Sequence, residues 1–385
     1  CLVATSIIMQ VPYGYLPIQL DPTRPLGKAI LEEWRQELAR GLFTLGPAVE
    51  RLETAWAQYC GVKHAIGVNS GTDALIIAMK AVGVGPGDEV ITAPNTFVAT
   101  VGAIMAVGAK PVLVDVGDDY LIDMYQVSAA IGEKTKAIIP VDLTGRPCLN
   151  IGQGLMGQLP YVIRDACQAI GATVGGVSSG WSAHLSAYSL HPLKNVHACG
   201  DGGVIVTDND DWAEWIRLYR NHGLKDRDTV VMAGINSRLD TLQAIAGWHI
   251  LQDVEAITLK RNQNAAQYRE GLQDVVQIIL PPLDPPSIQV RQAYHTFVIL
   301  AEHRDQLKAW LLAHGVQAAI HYPVPVHLQP GYAFLGYKLG DFPKTELQAD
   351  NIITLPVHEY LNEGDIEYVI DQIRIFYHYG PSIGI

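Results

Sequence analysis

Short apolar runs separated by helix-length stretches recur through the first two thirds of this chain, and that rhythm constrains the fold more than any other feature. The runs are residues 65–68, 89–92, 111–114, 137–141, 161–163 and 204–207. Each is strand-length and lacks polar alternation, as strands buried on both faces do. The spacing predicts helices over 73–82, after Ser70-Gly71-Thr72, and over 97–107, which is small and apolar on most faces. Repeated strand–helix alternation builds a mostly parallel sheet covered by helices on both faces. The expected fold class is therefore α/β.

The tail reads differently. A helical pattern runs from Asp240 to Leu272 with no glycine between Gly247 and Gly271. A Pro-rich stretch, 279–287 (ILPPLDPPS), punctuates it. A strand-like run (296–300) and helices over 305–313 and 363–376 follow, which is the pattern of a smaller α+β domain. The expected division is residues 1–250 as a large α/β domain, including the N-terminal segment, and 251–385 as a small C-terminal domain. The long helix at the junction can belong to either. Residues 151–158 (IGQGLMGQ) read as an irregular helix.

Composition removes several function classes. With 49% hydrophobic and 17% charged residues in 385, the chain buries a large core and is not disordered. Lys plus Arg is 27 against 39 Asp plus Glu, a net charge of −12, which argues against nucleic acid as a partner. Cys1, Cys60, Cys148, Cys167 and Cys199 lie far apart without a C-x-x-C pair, so neither a disulfide framework nor a zinc site is expected and a reducing cytoplasm is. His184, His191 and His197 do not share metal-ligand spacing. No apolar run approaches the roughly 18 residues a membrane span needs. The first ten residues lack a basic n-region and are too short, as they stand, for a signal peptide.

Three motifs carry chemistry. Asn69–Leu75 lies between a strand and a helix; free N–H groups at a helix start, Gly71 for close approach and the Thr72 hydroxyl suit a phosphate, although an ordinary N-cap explains the same residues. Asp165 ends a strand, where a carboxylate faces the ligand crevice of a parallel sheet or caps the next helix. Lys194 sits in Ser189-Leu190-His191-Pro192-Leu193-Lys194-Asn195, ahead of Gly200-Asp201-Gly202-Gly203. A desolvated lysine attacks carbonyls to form a Schiff base; a lone lysine is otherwise a surface residue in a turn. A phosphate cradle, an Asp for a pyridine nitrogen and a Schiff-base lysine, in that order, are the parts of a pyridoxal-phosphate site.

On these motifs, together with Phe43-Thr44-Leu45-Gly46-Pro47, Asn236–Ala244 and the stretch 321–327 (HYPVPVH), the chain resembles the DegT/StrS-type sugar aminotransferases of fold type I. The resemblance runs from about Val11 to Tyr377. It implies that Lys194 holds pyridoxal 5'-phosphate as a Schiff base and moves protons, and that Asp165 pairs with the pyridine nitrogen. Gln168 would bond the phenolic oxygen. Gly71, Thr72, Asp73 through its backbone, and Ser189 would hold the phosphate. Phe97 would stack on the ring, Asn236 would reach the phosphate from the neighbouring subunit of a homodimer, and Tyr322 and His327 would contact substrate. The implied reaction moves an amino group from L-glutamate or L-glutamine, through pyridoxamine 5'-phosphate, to a keto-sugar, nucleotide-linked. The lysine segment also resembles aminotransferases of cyclitol ketones that use glutamine, and a non-catalytic cofactor-binding regulator is a further alternative. A related sugar dehydratase group carries His where Lys194 stands. Arg164 departs from the acidic residue often found before the aspartate, and 151–158 from a more regular helix.

Overall fold

The structure, a computed structural model, describes residues 9–149 and 160–380; the stretch 151–158 lies outside them. Seven strands form the main sheet: β1 (His64–Val68), β2 (Glu89–Thr92), β3 (Lys110–Leu113), β4 (Thr135–Ile138), β5 (Tyr161–Asp165), β6 (Leu185–Ser189) and β7 (Gly203–Thr207). Their spatial order is β1-β7-β6-β5-β4-β2-β3. β7 runs antiparallel to both of its neighbours, and every other pairing is parallel. β1 and β6 therefore point the same way, and six of the seven strands deliver their carboxyl ends to one edge. In such a sheet the ligand crevice opens at that edge.

Alternation along the strands feeds two cores. Leu185 and Ala187 of β6 and Ile205 of β7 face a cluster with Ile66, Leu75, Ile77 and Ile104. Tyr188, Val204 and Val206 face the other side, with Leu52, Trp56, Leu190 and Ile250. Each large apolar side chain so buried contributes about 1.5–3 kcal/mol. A third cluster joins Tyr268, Phe297, Leu311, Ile353 and Val369 around the antiparallel strands Ile278–Ile279, Phe297–Ala301 and Ile352–Leu355. Val11 belongs to that cluster and bridges to Val316, which ties the N-terminal segment to the C-terminal part of the chain.

Two sequence expectations are corrected. Strand β6 is absent from the apolar runs of the sequence because Ser186 and Ser189 interrupt it; the Ser186 hydroxyl is nevertheless buried, donating to Gly180 O at 2.7 Å. The long helix is two helices, Thr241–Leu251 and Val254–Leu272, separated by Gln252 and Asp253. The first packs against helices Pro25–Arg40 and Pro47–Cys60; the second starts in the same core through Val254 and Ile257 and passes to the C-terminal cluster through Ala265, Tyr268 and Leu272, against Glu363–Tyr379. Arg164, unusual in sequence, lies buried beside Asp165 in β5. It pairs with buried Asp142 at 2.5 Å and donates to Ser182 Oγ at 2.7 Å, which offsets its desolvation. Among the described residues no helix is long and apolar enough to cross a membrane.

Candidate active site

At the carboxyl edge of the sheet lies a cavity of about 340 Å³. Its walls bring together Gly71, Thr72, Phe97, Asp165, Gln168, Ser189, Lys194 and Tyr322, eight of the residues singled out in the sequence. One end is the start of helix Gly71–Ala81. The Ser70 hydroxyl caps it, accepting from Asp73 N at 3.0 Å. The amides of Gly71 and Thr72, in the first turn, have no intrahelical carbonyl to bond and carry the positive end of the helix dipole. Gly71 is required by space: a Cβ there would lie 2.7 Å from Ser189 Cβ and 3.0 Å from Cys167 Sγ. The helix start is thus pressed directly against the ends of β6 and β5.

Asp165 is buried at the end of β5. Thr100 Oγ1 donates to its Oδ2 at 2.8 Å, and Cys167 N donates to Oδ1 at 3.2 Å. Gln168 is held by Thr144 N, which donates to its Oε1 at 2.7 Å, and its amide lies 3.4 Å from the Tyr322 hydroxyl. Phe97, half exposed at the N-cap of helix Val98–Ala106, stands 5.7 Å from the Tyr322 ring.

Lys194 lies in the loop between β6 and β7. Its N–H donates to His191 O at 2.8 Å, and its carbonyl accepts from the Tyr15 hydroxyl at 3.1 Å. Burial pushes the Lys194 pKa below the usual lysine range, while Cys167 and Asp165 pull the other way. The same burial pushes the Cys167 thiol well up, so it stays protonated.

The arrangement fits pyridoxal phosphate. A buried carboxylate that accepts two neutral donors retains acceptor capacity for a cationic N–H. An amine held below its ordinary pKa is a nucleophile toward an aldehyde. A glycine-lined helix start accepts a phosphate.

Three other predicted residues lie elsewhere. The Asp73 carboxylate accepts from Ser237 Oγ at 2.6 Å, outside the cavity wall, which leaves only its backbone at the helix start. Asn236 is exposed and pairs in a bridge with Asn221. His327 is buried with Nε2 3.0 Å from Glu346 Oε1 and its ring edge-on to Phe342. Conversely, Thr100, Cys167, His295 and His321 line the cavity unannounced by sequence reasoning. Burial and Lys194 depress both histidines, His295 well below its ordinary value and His321 to about 4, which favours their neutral forms. For His321 a signal existed in the HYPVPVH stretch; a threonine in an apolar helix gave none.

Comparison with known proteins places this geometry. The sequence model of the DegT/DnrJ/EryC1/StrS aminotransferase family matches residues 25–374. A pleiotropic regulatory protein of Geobacillus stearothermophilus is 40% identical over 96% of this chain and 99% of its own length. A dTDP-3-amino-3,4,6-trideoxy-alpha-D-glucose transaminase of Streptomyces venezuelae is 37% identical, covering 90% and 94%. Among solved structures, S. venezuelae DesV in complex with a ketimine intermediate superposes with a TM-score of 0.90 at 35% identity, covering 95% of this chain and 98% of that one. Bacillus subtilis NtdA with bound cofactor PMP gives 0.85 at 30% identity, covering 95% and 85%.

Proposed function

We propose that this chain, which belongs to the DegT/DnrJ/EryC1/StrS aminotransferase family, carries an amino group from L-glutamate or L-glutamine to the ketone of a nucleotide-linked sugar. It is a pyridoxal-phosphate-dependent aminotransferase. The observation that carries the substrate-independent part of the reading is the convergence of Lys194, Asp165 and the Gly71 helix start on one cavity. The sugar reading is supported by the Streptomyces relative, named for a dTDP-linked amino sugar.

Bound pyridoxal phosphate supplies an electron sink for the pair left behind when a proton leaves the donor's Cα. The Gly71 and Thr72 amides, with the Thr72 and Ser189 hydroxyls, hold the phosphate. Asp165 keeps a proton on the ring nitrogen, which maintains the sink. Gln168 orients the ring through its phenolic oxygen, and Phe97 covers one face. Lys194 Nζ, its pKa lowered by burial, would serve as the base for the Cα proton and as the acid that delivers it across the bridging nitrogen to the cofactor's former aldehyde carbon. Tyr322, hydrogen-bonded beside Gln168, faces the space left for substrate. The same residues then run the steps in reverse on the acceptor ketone. Asn236 completes the phosphate site from a second copy of the chain.

The test is turnover with a panel of amino acids against dTDP- and UDP-linked 3-keto-sugars and a free cyclitol ketone, with products identified by mass spectrometry. Amino-sugar formation from a nucleotide-linked ketone, with glutamate or glutamine as donor, is expected. Transfer to the cyclitol and to no nucleotide sugar would overturn the substrate reading. A donor half-reaction that never runs would favour a regulatory role such as the Geobacillus relative's name describes.

A further inference from the structure

The first turn of helix Val98–Ala106 carries a hydroxyl relay that the functional reading above does not use. Thr96 and Thr100 are both buried, and their Oγ1 atoms lie 2.7 Å apart. Thr100 Oγ1 lies 2.8 Å from Asp165 Oδ2. A threonine inside a helix ordinarily folds its hydroxyl back on the carbonyl one turn before it. Thr100 instead spends it across the site.

The proton inventory fixes the direction of the chain. An ionised carboxylate only accepts, so Thr100 must donate to Asp165. A hydroxyl has one proton, so Thr96 must then donate to Thr100. With a protonated Asp165 the donation would run the opposite way, through Thr100 to Thr96. The backbone adds a second constraint: Thr100 N donates to Phe97 O at 3.1 Å. One helical turn therefore fixes both the aromatic ring that faces the cavity and the hydroxyl that holds the carboxylate.

We infer that Thr100, backed by Thr96, is a positioning residue that holds the Asp165 carboxylate in a single rotamer toward the cofactor's ring nitrogen. This rests on the assignment of Asp165 to that nitrogen. Cys167 N, donating to Oδ1, braces the other oxygen. A hydrogen bond donated to the charged form favours that form, and removing it lets the proton shared between ring and carboxyl move toward the carboxyl.

The experiment uses full-length protein reconstituted with ring-15N-labelled pyridoxal phosphate, comparing wild type, Thr100→Val, Thr100→Ser, Thr96→Val and Asp165→Ala. Valine keeps the branched shape and deletes the hydroxyl. The wild-type nitrogen should read as protonated. Thr100→Val should move its signal toward neutral pyridine and slow the donor half-reaction roughly tenfold, the effect of one charge-assisted hydrogen bond. Thr100→Ser should restore both readouts, and Thr96→Val should shift the nitrogen in the same direction by less. A Thr100→Val nitrogen signal identical to wild type overturns the inference, as does a serine variant as impaired as the valine one. If Thr100→Val does not fold, an unshifted Thr96→Val signal overturns it equally. An unshifted nitrogen in Asp165→Ala overturns instead the assignment of Asp165 on which the inference rests.

Discussion

The carboxyl edge of the sheet and the surface around Asn236 differ in how completely one chain finishes them. At the edge, the ends of β5 and β6 and the start of helix Gly71–Ala81 meet within van der Waals distance. Asp165 has two donors there, and the walls close on Lys194. Around Asn236 exposed and buried side chains alternate, with Ser237 and Leu239 fully buried. Asn236 itself is exposed, and Val230 and Val231, close by in sequence, are 62% and 49% exposed. Exposed apolar residues beside a polar group proposed for the phosphate are what the proposed second copy would cover. The end that holds Asp165 and Lys194 is thus built by a single chain, and the outer end is a candidate for completion by a second copy. Variants on the two sides should therefore fail in different ways.

The largest effect belongs to the closed side. Lys194→Ala should lower turnover by more than about 10⁴-fold, because it removes both the nucleophile and the proton carrier. In the wild type, borohydride should fix the cofactor to the peptide containing Lys194; labelling of another lysine would defeat the assignment. The pH dependence has a definite sign. A protonated amine cannot attack, so cofactor capture by the apoprotein should quicken as pH rises. Burial depresses the Lys194 pKa, so the curve should level off below the pH at which an exposed lysine titrates. A rise that continues through the ordinary lysine range would remove the buried, activated amine from the argument.

The closed side was also the more legible one. Glu89–Thr92 and His64–Val68 announce themselves as apolar runs, Asp165 stands at a strand end where a parallel sheet collects its ligands, and Lys194 stands in a Gly-flanked segment ahead of Gly203–Thr207. What escaped was set by tertiary contact. Leu185–Ser189 hides because its serines find partners only in the folded chain. Thr100 looks like filler in an apolar helix until β5 brings Asp165 beside it. The break at Gln252 and Asp253 divides one helical pattern with neither Gly nor Pro to mark it. His327 carries a substrate role by resemblance, yet within the chain its bond to Glu346 dominates its surroundings.

A smaller loss is expected where packing, and no reacting atom, is altered. Gly71→Ala places a methyl 2.7 Å from Ser189 Cβ, closer than carbon atoms approach, so the helix start must retreat from β6. Overpacking of this kind costs about 1–3 kcal/mol, which corresponds to roughly tenfold to hundredfold weaker cofactor binding if it falls on the phosphate end. Gly85→Ala is the control, since nothing lies within 4 Å of the added methyl. Equal cofactor affinity in the two variants, measured by equilibrium titration of the apoproteins, would show that the Gly71 contact does not shape the phosphate end.

The smallest effect lies on the open side and tests whether a second chain finishes the site. Asn236→Ala removes one donor to the phosphate, for about a tenfold loss. That magnitude alone does not say which chain the donor serves. Pairing it with Lys194→Ala does. In a heterodimer of a Lys194→Ala chain and an Asn236→Ala chain, a donor acting across the interface leaves one site with both lesions and the other with neither. The intact site, counted per functional Lys194, should then work at the wild-type rate. A donor acting within its own chain leaves the site with a functional Lys194 still lacking Asn236, at about one tenth of that rate. Two-fold symmetry makes the two sites equivalent before mutation, so the difference reports only where Asn236 acts. Heterodimers isolated through two affinity tags and assayed against each parent homodimer give that number. A value near one tenth would return Asn236 to its own chain and leave the exposed surface around it without a role in the site.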